Sequence, residues 1–153
     1  MTPTVGELSE LYQEILLDHA KTPHHYGKIE GAPSAEGFNP LCGDKVCVFV
    51  QKDEHNRIHD VRFEAHACFI CTASASLMSD AMENQTLHDA SHIVSAFRIL
   101  LQTGNLDRRF LQEELEALGG IHRFPARLKC ALLPWMTFVE AAGIEKDEKE
   151  RSS

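Results

Sequence analysis

The sequence has no surplus of basic charge. Lysine and arginine number 15 against 23 aspartates and glutamates, for a formal net charge of −8 with neutral histidine. Neutralising nucleic-acid phosphates takes a basic face, so no nucleic-acid partner is expected. The same deficit argues against an anionic membrane surface. No apolar run approaches the roughly 20 residues of a spanning helix. The segment Met1 to Glu10 lacks the basic stretch and apolar core of a secretory signal, so the expectation is a cytoplasmic protein. Three catalytic signatures are also missing: Gly-x-Ser-x-Gly, a phosphate-cradling glycine-rich loop and His-Glu-x-x-His.

What is present is an ordinary soluble composition, 43% hydrophobic and 25% charged, in 153 residues. That length suits one domain, able to bury roughly 70% of its unfolded surface without disulfide staples. Cysteines are few and odd in number, five in all. In a reducing compartment such thiols serve as ligands or nucleophiles more often than as disulfides. The competing reading is that they are small buried apolar side chains.

Leu8 to Ala20 reads as a helix, with Leu8, Leu11, Tyr12, Ile15 and Leu16 on one stripe. Pro23 and Gly27 end it, and His24 to Ser34 reads as a turn-rich connector. Asn39-Pro40-Leu41-Cys42-Gly43-Asp44 reads as a shaped loop. Lys45 to Gln51 alternates as a strand, with Val46, Val48 and Val50 on one face and Cys47 and Phe49 on the other. Arg57 to His66 is the return strand; Ile58 and Val61 differ in parity, which a bulge would reconcile. Thr72 to Met82 is rich in small residues, as suits a closely packed helix. Leu87 to Gln102 is amphipathic, and Asp107 to Leu118 reads as one short helix or two. Gly119-Gly120 is expected to break the chain. A last helix runs from Pro125 to Ala142, with Gly143 as its cap. The expected fold is α+β: a small antiparallel meander packed against several α-helices, one domain over residues 1–143. Residues 144–153 are expected to form a charged, disordered tail.

Three cysteines fall at element ends. Cys42 lies in the turn before the first of these strands, Cys68 where the second gives way to a helix, and Cys130 near the start of the last helix. A hairpin brings the residues before its first strand and after its second to one end of the sheet, so Cys42 and Cys68 should be neighbours. Asp44 can face the same spot, and a helix delivering Cys130 there would complete three sulfurs and one oxygen. That donor set suits Zn²⁺ or iron, and the carboxylate makes the fourth position exchangeable.

The remaining candidates have blander readings. Cys68 and Cys71 form a Cys-x-x-Cys, a redox or metal pair in one reading and an inward-facing small residue beside a ligand in the other. Cys47, mid-strand, reads as buried. His88 and His92 are i, i+4 on a helix but read as surface, and His24-His25 as a loop pair without fixed geometry. His66, two residues before Cys68, stays open as a neighbour of the site or an alternate ligand. Glu113 to Glu116 reads as a solvated helix face.

Three segments together resemble the U-type iron–sulfur cluster assembly proteins, the IscU/NifU N-terminal family. They are Asn39 to Asp44, Cys68 to Met78 and Pro125 to Trp135; the opening Leu11 to His19 is similar too. The resemblance covers about residues 8 to 143. Lys129 before the third cysteine, and the long interval between Cys68 and Cys130, resemble the SufU-like branch. The resemblance implies a metal site of Cys42, Asp44, Cys68 and Cys130, with Cys42 accepting persulfide sulfur and Arg127 near the site. It implies Zn²⁺, or alternatively Fe²⁺ or a [2Fe–2S] cluster. The implied partners are a pyridoxal-phosphate-dependent (SufS-like) cysteine desulfurase and downstream iron–sulfur assembly factors. Two functions follow: a sulfurtransferase-like sulfur acceptor held by zinc, or a non-enzymatic scaffold that builds a [2Fe–2S] cluster on the same thiols. The chain departs from the family pattern at His66-Ala67, where glycine is usual before the second cysteine, and at Cys71, where serine is common.

Overall fold

In a computed structural model of the chain, residues 5–144 are described, with side chains from Glu10 to Ile144. The expected tail over 144–153 therefore lies outside the described residues apart from Ile144. The order is α1 (Val5–Lys21), β1 (Ser34–Asn39), β2 (Asp44–Lys52), β3 (Ile58–His66), α2 (Phe69–Met82), α3 (Leu87–Thr103), a 3-10 helix (Glu113–Arg123) and α4 (Pro125–Ala142). The strands form an antiparallel meander in the order β1-β2-β3, an α+β architecture. Among the described residues no helix is long and apolar enough to cross a membrane.

The period-2 pattern of β2 decides which face is covered. Val46, Val48 and Val50 are fully buried together with Ile58, Val61 and Phe63 of β3. The parity conflict in β3 is resolved by a register shift between Gln51 and Lys52, which puts Ile58 on the same covered face as Val61. Cys47, expected to be buried, is instead half-buried on the open face, because its register partners Glu36 and Glu64 leave that face to solvent.

Between the connector and the loop, sharing one end residue with each, lies a strand that the sequence did not reveal. β1 reads Ser-Ala-Glu-Gly-Phe-Asn, too poor in β-branched residues to signal itself. It forms because β2 offers an edge and α4 packs across it. Gly37 permits that approach: a Cβ there would overlap the Thr137 hydroxyl and press on Leu133 at 3.0 Å. Asn39 pairs with Asp44, so the expected loop is the hairpin turn between β1 and β2.

α2 is the central helix, buried on nearly every side, as its small residues require. Trp135 of α4 stacks on Phe97 of α3 at 3.9 Å and donates its indole N–H to Ser74 Oγ of α2 at 3.0 Å. On α1 the stripe is narrower than expected: Leu16 is buried but Leu11 is 53% exposed. Gly119-Gly120 do not break the chain. They lie inside the 3-10 helix, where Gly119 lets the Leu100 side chain and the Gly104 carbonyl approach to 3.3 and 3.5 Å of where a Cβ would sit. The run Glu113 to Glu116 is not wholly a wet face either, since Leu115 is buried and the Glu114 carboxylate accepts a hydrogen bond from the buried His19 Nε2 at 2.9 Å.

Candidate metal centre

Three elements deliver thiols to one end of the sheet. The β1–β2 turn carries Cys42. Asn39 shapes that turn: its Oδ1 accepts the Leu41 N–H at 3.2 Å and its carbonyl accepts the Cys42 N–H at 3.3 Å. Gly43 then adopts φ +70°, which glycine reaches without steric cost and which returns the chain to β2. Cys68 is the N-cap of α2, immediately after β3, and its sulfur accepts the Cys71 N–H at 3.5 Å. Cys130 is buried on the second turn of α4, after Pro125 opens that helix.

The Sγ atoms of Cys42 and Cys130 are 3.3 Å apart. Cys42, Asp44 and Cys130 each offer a ligand atom within 4.8 Å of the others. Asp44 is buried and links this pair to Cys68: its Oδ1 accepts the Cys68 N–H at 2.8 Å, and its Oδ2 lies 3.6 Å from the Cys68 sulfur. The three expected thiols and the carboxylate therefore occupy one region, with Cys68 joined to the Cys42–Cys130 pair through Asp44. Asn39 also reaches the cluster: its side-chain amide points at the Cys130 sulfur at 3.7 Å.

Burial raises the Cys130 thiol above its ordinary range, and hydrogen bonding with Asp44 and Cys42 adds to it. Cys71 is fully buried and is pushed up by desolvation first, then by the charges of Asp44, Cys68 and Cys42. Packed thiols beside a carboxylate hold protons tightly when no cation is there; a bound cation reverses that preference by taking the thiolates as ligands. This donor set fits zinc or iron, which take thiolate and carboxylate ligands.

Other candidates fall elsewhere. His66, at the end of β3, helps line a cavity of about 370 Å³ on the open sheet face, with Tyr26, Lys28 and Cys47. Arg127 is exposed one turn before Cys130, an i, i+3 neighbour on α4. The His24-His25 pair does have fixed geometry. His24 Nδ1 lies 2.6 Å from Asp80, and His25 Nε2 lies 3.2 Å from both Asp80 and Glu83. The sequence hid this because the carboxylates come from a helix more than fifty positions away. Large apolar side chains are exposed along the thiol-bearing segments: Leu41 (74%) precedes Cys42 and Phe69 follows Cys68, with Phe38 on β1 and Phe124 (60%) just before α4 also open to solvent.

An α+β domain that gathers thiols from a β-hairpin turn and two helices around one buried carboxylate defines a class of small thiol-cluster proteins with the donor set of a candidate metal centre. Comparison with known proteins narrows the class. The NifU-like N-terminal domain matches residues 11–131, and the chain belongs to that family. Over 137 residues it is 34% identical to the iron–sulfur cluster assembly scaffold protein IscU of Streptococcus pyogenes serotype M1, covering 90% of this chain and 86% of that one. Over 143 residues it is 32% identical to the zinc-dependent sulfurtransferase SufU of Bacillus subtilis, covering 94% and 95%. Among solved structures, it is similar to one described as a candidate iron–sulfur cluster assembly scaffold protein for the SUF system of Fervidobacterium islandicum AW-1. That match has a TM-score of 0.79 and 31% identity, covering 87% of this chain and 97% of that one.

Proposed function

We propose that the chain is a sulfur acceptor of iron–sulfur cluster assembly, with Cys42 receiving sulfur from the persulfide of a pyridoxal-phosphate-dependent cysteine desulfurase of the SufS kind. The observation that carries this reading is the asymmetry of the thiols. Cys42 is exposed on a glycine-hinged turn, whereas Cys130 is buried 3.3 Å away on a helix. One thiol can meet a partner while Cys130 stays shielded. In this reading Cys42, Asp44, Cys68 and Cys130 hold Zn²⁺, which keeps their thiols deprotonated at neutral pH.

The transfer balances simply. The Cys42 thiolate attacks the outer sulfur of the partner's persulfide, a new S–S bond forms, and the partner's cysteine leaves as thiolate. Exposed Leu41 and Phe69, adjacent in sequence to Cys42 and Cys68, suit the docking of a protein partner, because exposed apolar side chains beside a reactive group favour interaction. Similarity to a zinc-dependent sulfurtransferase over nearly all of both chains supports the zinc form.

Incubation with desulfurase and cysteine, followed by peptide mass spectrometry, tests the reading. The added sulfur is expected on the Cys42 peptide; sulfur mainly on Cys71 or Cys130 overturns the assignment.

One observation favours a second reading, a scaffold for a [2Fe–2S] cluster passed to apo-proteins. Cys71 supplies a fourth thiol, with its backbone N–H on the Cys68 sulfur. Anaerobic purification separates the two. Zinc alone favours transfer, whereas brown colour with acid-labile sulfide favours scaffolding.

A further inference from the structure

A second group of metal-ligating side chains lies at the other end of α2, where the segment after α1 crosses it. Asp80 follows Cys68 by twelve residues on this helix, about 18 Å along its axis at 1.5 Å per residue. His19, His24 and Asp80 each offer a ligand atom within 4.8 Å of the others. His25 and Glu83 flank them, both in reach of the same carboxylate or imidazole at 3.2 Å. We propose that His19, His24 and Asp80, with His25 and Glu83 beside them, form a second binding site for a divalent first-row transition cation, separate from the thiol cluster.

The donors carry the first part of the argument. Imidazole nitrogen with carboxylate oxygen is a set that binds Zn²⁺, Co²⁺, Ni²⁺ and Fe²⁺, and it is chemically distinct from the thiolate set at the far end of the helix. Ligand atoms around a tetrahedral ion sit about 3.4 Å apart when the bonds are about 2.1 Å. The donor atoms already lie within 4.8 Å of one another, and the His24–Asp80 hydrogen bond at 2.6 Å opens as the ion takes its place.

Preorganisation is the second part. Ser76 is fully buried on α2, and its hydroxyl meets His19 Nδ1 at 2.7 Å and accepts the His24 backbone N–H at 2.8 Å. One buried hydroxyl thus fixes the position of two of the imidazole-bearing residues, the kind of support that metal-ligating histidines receive from their neighbours. The Nε2 of His19 meets Glu114 at 2.9 Å, which ties the 3-10 segment to the same cluster. His25 sits at φ +60°, a left-handed conformation uncommon for a side-chain-bearing residue. Its carbonyl accepts the Phe63 N–H at 3.1 Å, so β3 holds it there while its ring reaches Asp80 and Glu83.

Charge and access supply the third. Asp80, Glu83 and Glu114 bring three carboxylates to three imidazoles, and with neutral imidazoles the group is anionic. Exposure rises from 6% at His19 through 25% at Asp80 to 53% at His24, so an ion can come in from solvent on the His24 side and be held against a packed wall.

This inference does not rest on what the thiol cluster holds, and the test reads a difference. Wild type, His24→Gln, Asp80→Asn and the double variant His88→Gln/His92→Gln are each dialysed against Zn²⁺, and bound zinc per chain is measured by atomic absorption. The double variant removes the exposed His88–His92 pair, whose Nε2 atoms are 3.2 Å apart. The expected result is one more zinc per chain in wild type and in the double variant than in His24→Gln or Asp80→Asn, with affinity for that ion at least about tenfold weaker in those two. The His19 and His24 ring-proton resonances should shift as that extra zinc binds. His24 is half-exposed, so its variant keeps the test alive if Asp80→Asn fails to fold. Equal zinc in wild type and His24→Gln overturns the site. A lower melting temperature for His24→Gln with unchanged zinc does the same and makes the group a hydrogen-bonded clamp.

Discussion

The sulfurs of Cys42 and Cys130 lie 3.3 Å apart although 88 positions separate the residues in sequence. A disulfide needs about 2.05 Å between sulfurs, so a small motion of the β1–β2 turn suffices to close one. Metal-free protein treated with diamide is expected to give a Cys42–Cys130 cross-link in non-reducing peptide maps. Metal-loaded protein should resist it. A predominant Cys68–Cys71 product would contradict the geometry.

Metal at this cluster should also hold the fold together. An ion there would cross-link the β1–β2 turn and the starts of α2 and α4, adding to the one hydrophobic core that already packs β2, α2 and α4 together. Structural zinc contributes roughly 10–16 kcal/mol of apparent binding free energy, part of it folding energy. Chelator is expected to lower the melting temperature clearly, as followed by circular dichroism. An unchanged curve after verified metal removal would count against a ligating role.

Asp44→Ala separates tuning from ligation. The buried carboxylate accepts the Cys68 N–H at 2.8 Å, and losing it leaves that donor without this partner in the first turn of α2. Persulfide turnover is expected to fall more than zinc content. Equal losses in the two assays would make Asp44 an ordinary ligand.

Cys71 is fully buried one turn after Cys68, and its thiol is held protonated by desolvation. Cys71→Ser should keep zinc and sulfur transfer while costing about 1–3 kcal/mol, because a hydroxyl replaces sulfur in an apolar site. Denaturant unfolding reads the cost, and zinc and persulfide assays read the function. In the metal-free protein, iodoacetamide should modify exposed Cys42 well before Cys71. Abolished sulfur transfer in a folded Cys71→Ser chain would bring Cys71 into the site.

Gly37→Ala tests the packing that sets the thiol-bearing turn. The new methyl would overlap the Thr137 hydroxyl, which donates to the Leu133 carbonyl at 2.7 Å. An overpacking cost of about 1–3 kcal/mol is expected, with β1 displaced from α4 and zinc affinity reduced. Wild-type stability and affinity would show that Thr137 turns aside freely.

The sequence alone determined the α+β class, the alternating faces of β2, the bulge demanded by Ile58 and Val61, and the start and cap of α4. These follow from local periodicity and from the fixed backbone preferences of proline and glycine, which act within a few residues. It also carried three cysteine motifs whose types and order point to one family. Tertiary structure decided the rest. β1 exists only because β2 supplies an edge and Gly37 admits Thr137 of α4. Asp44 became the link between Cys68 and the Cys42–Cys130 pair because the hairpin register set it opposite Asn39 at the sheet end. His19 and His24 met Asp80 only when α1 packed on α2, across more than fifty residues of chain. Such meetings depend on which faces pack together, and no local pattern encodes that.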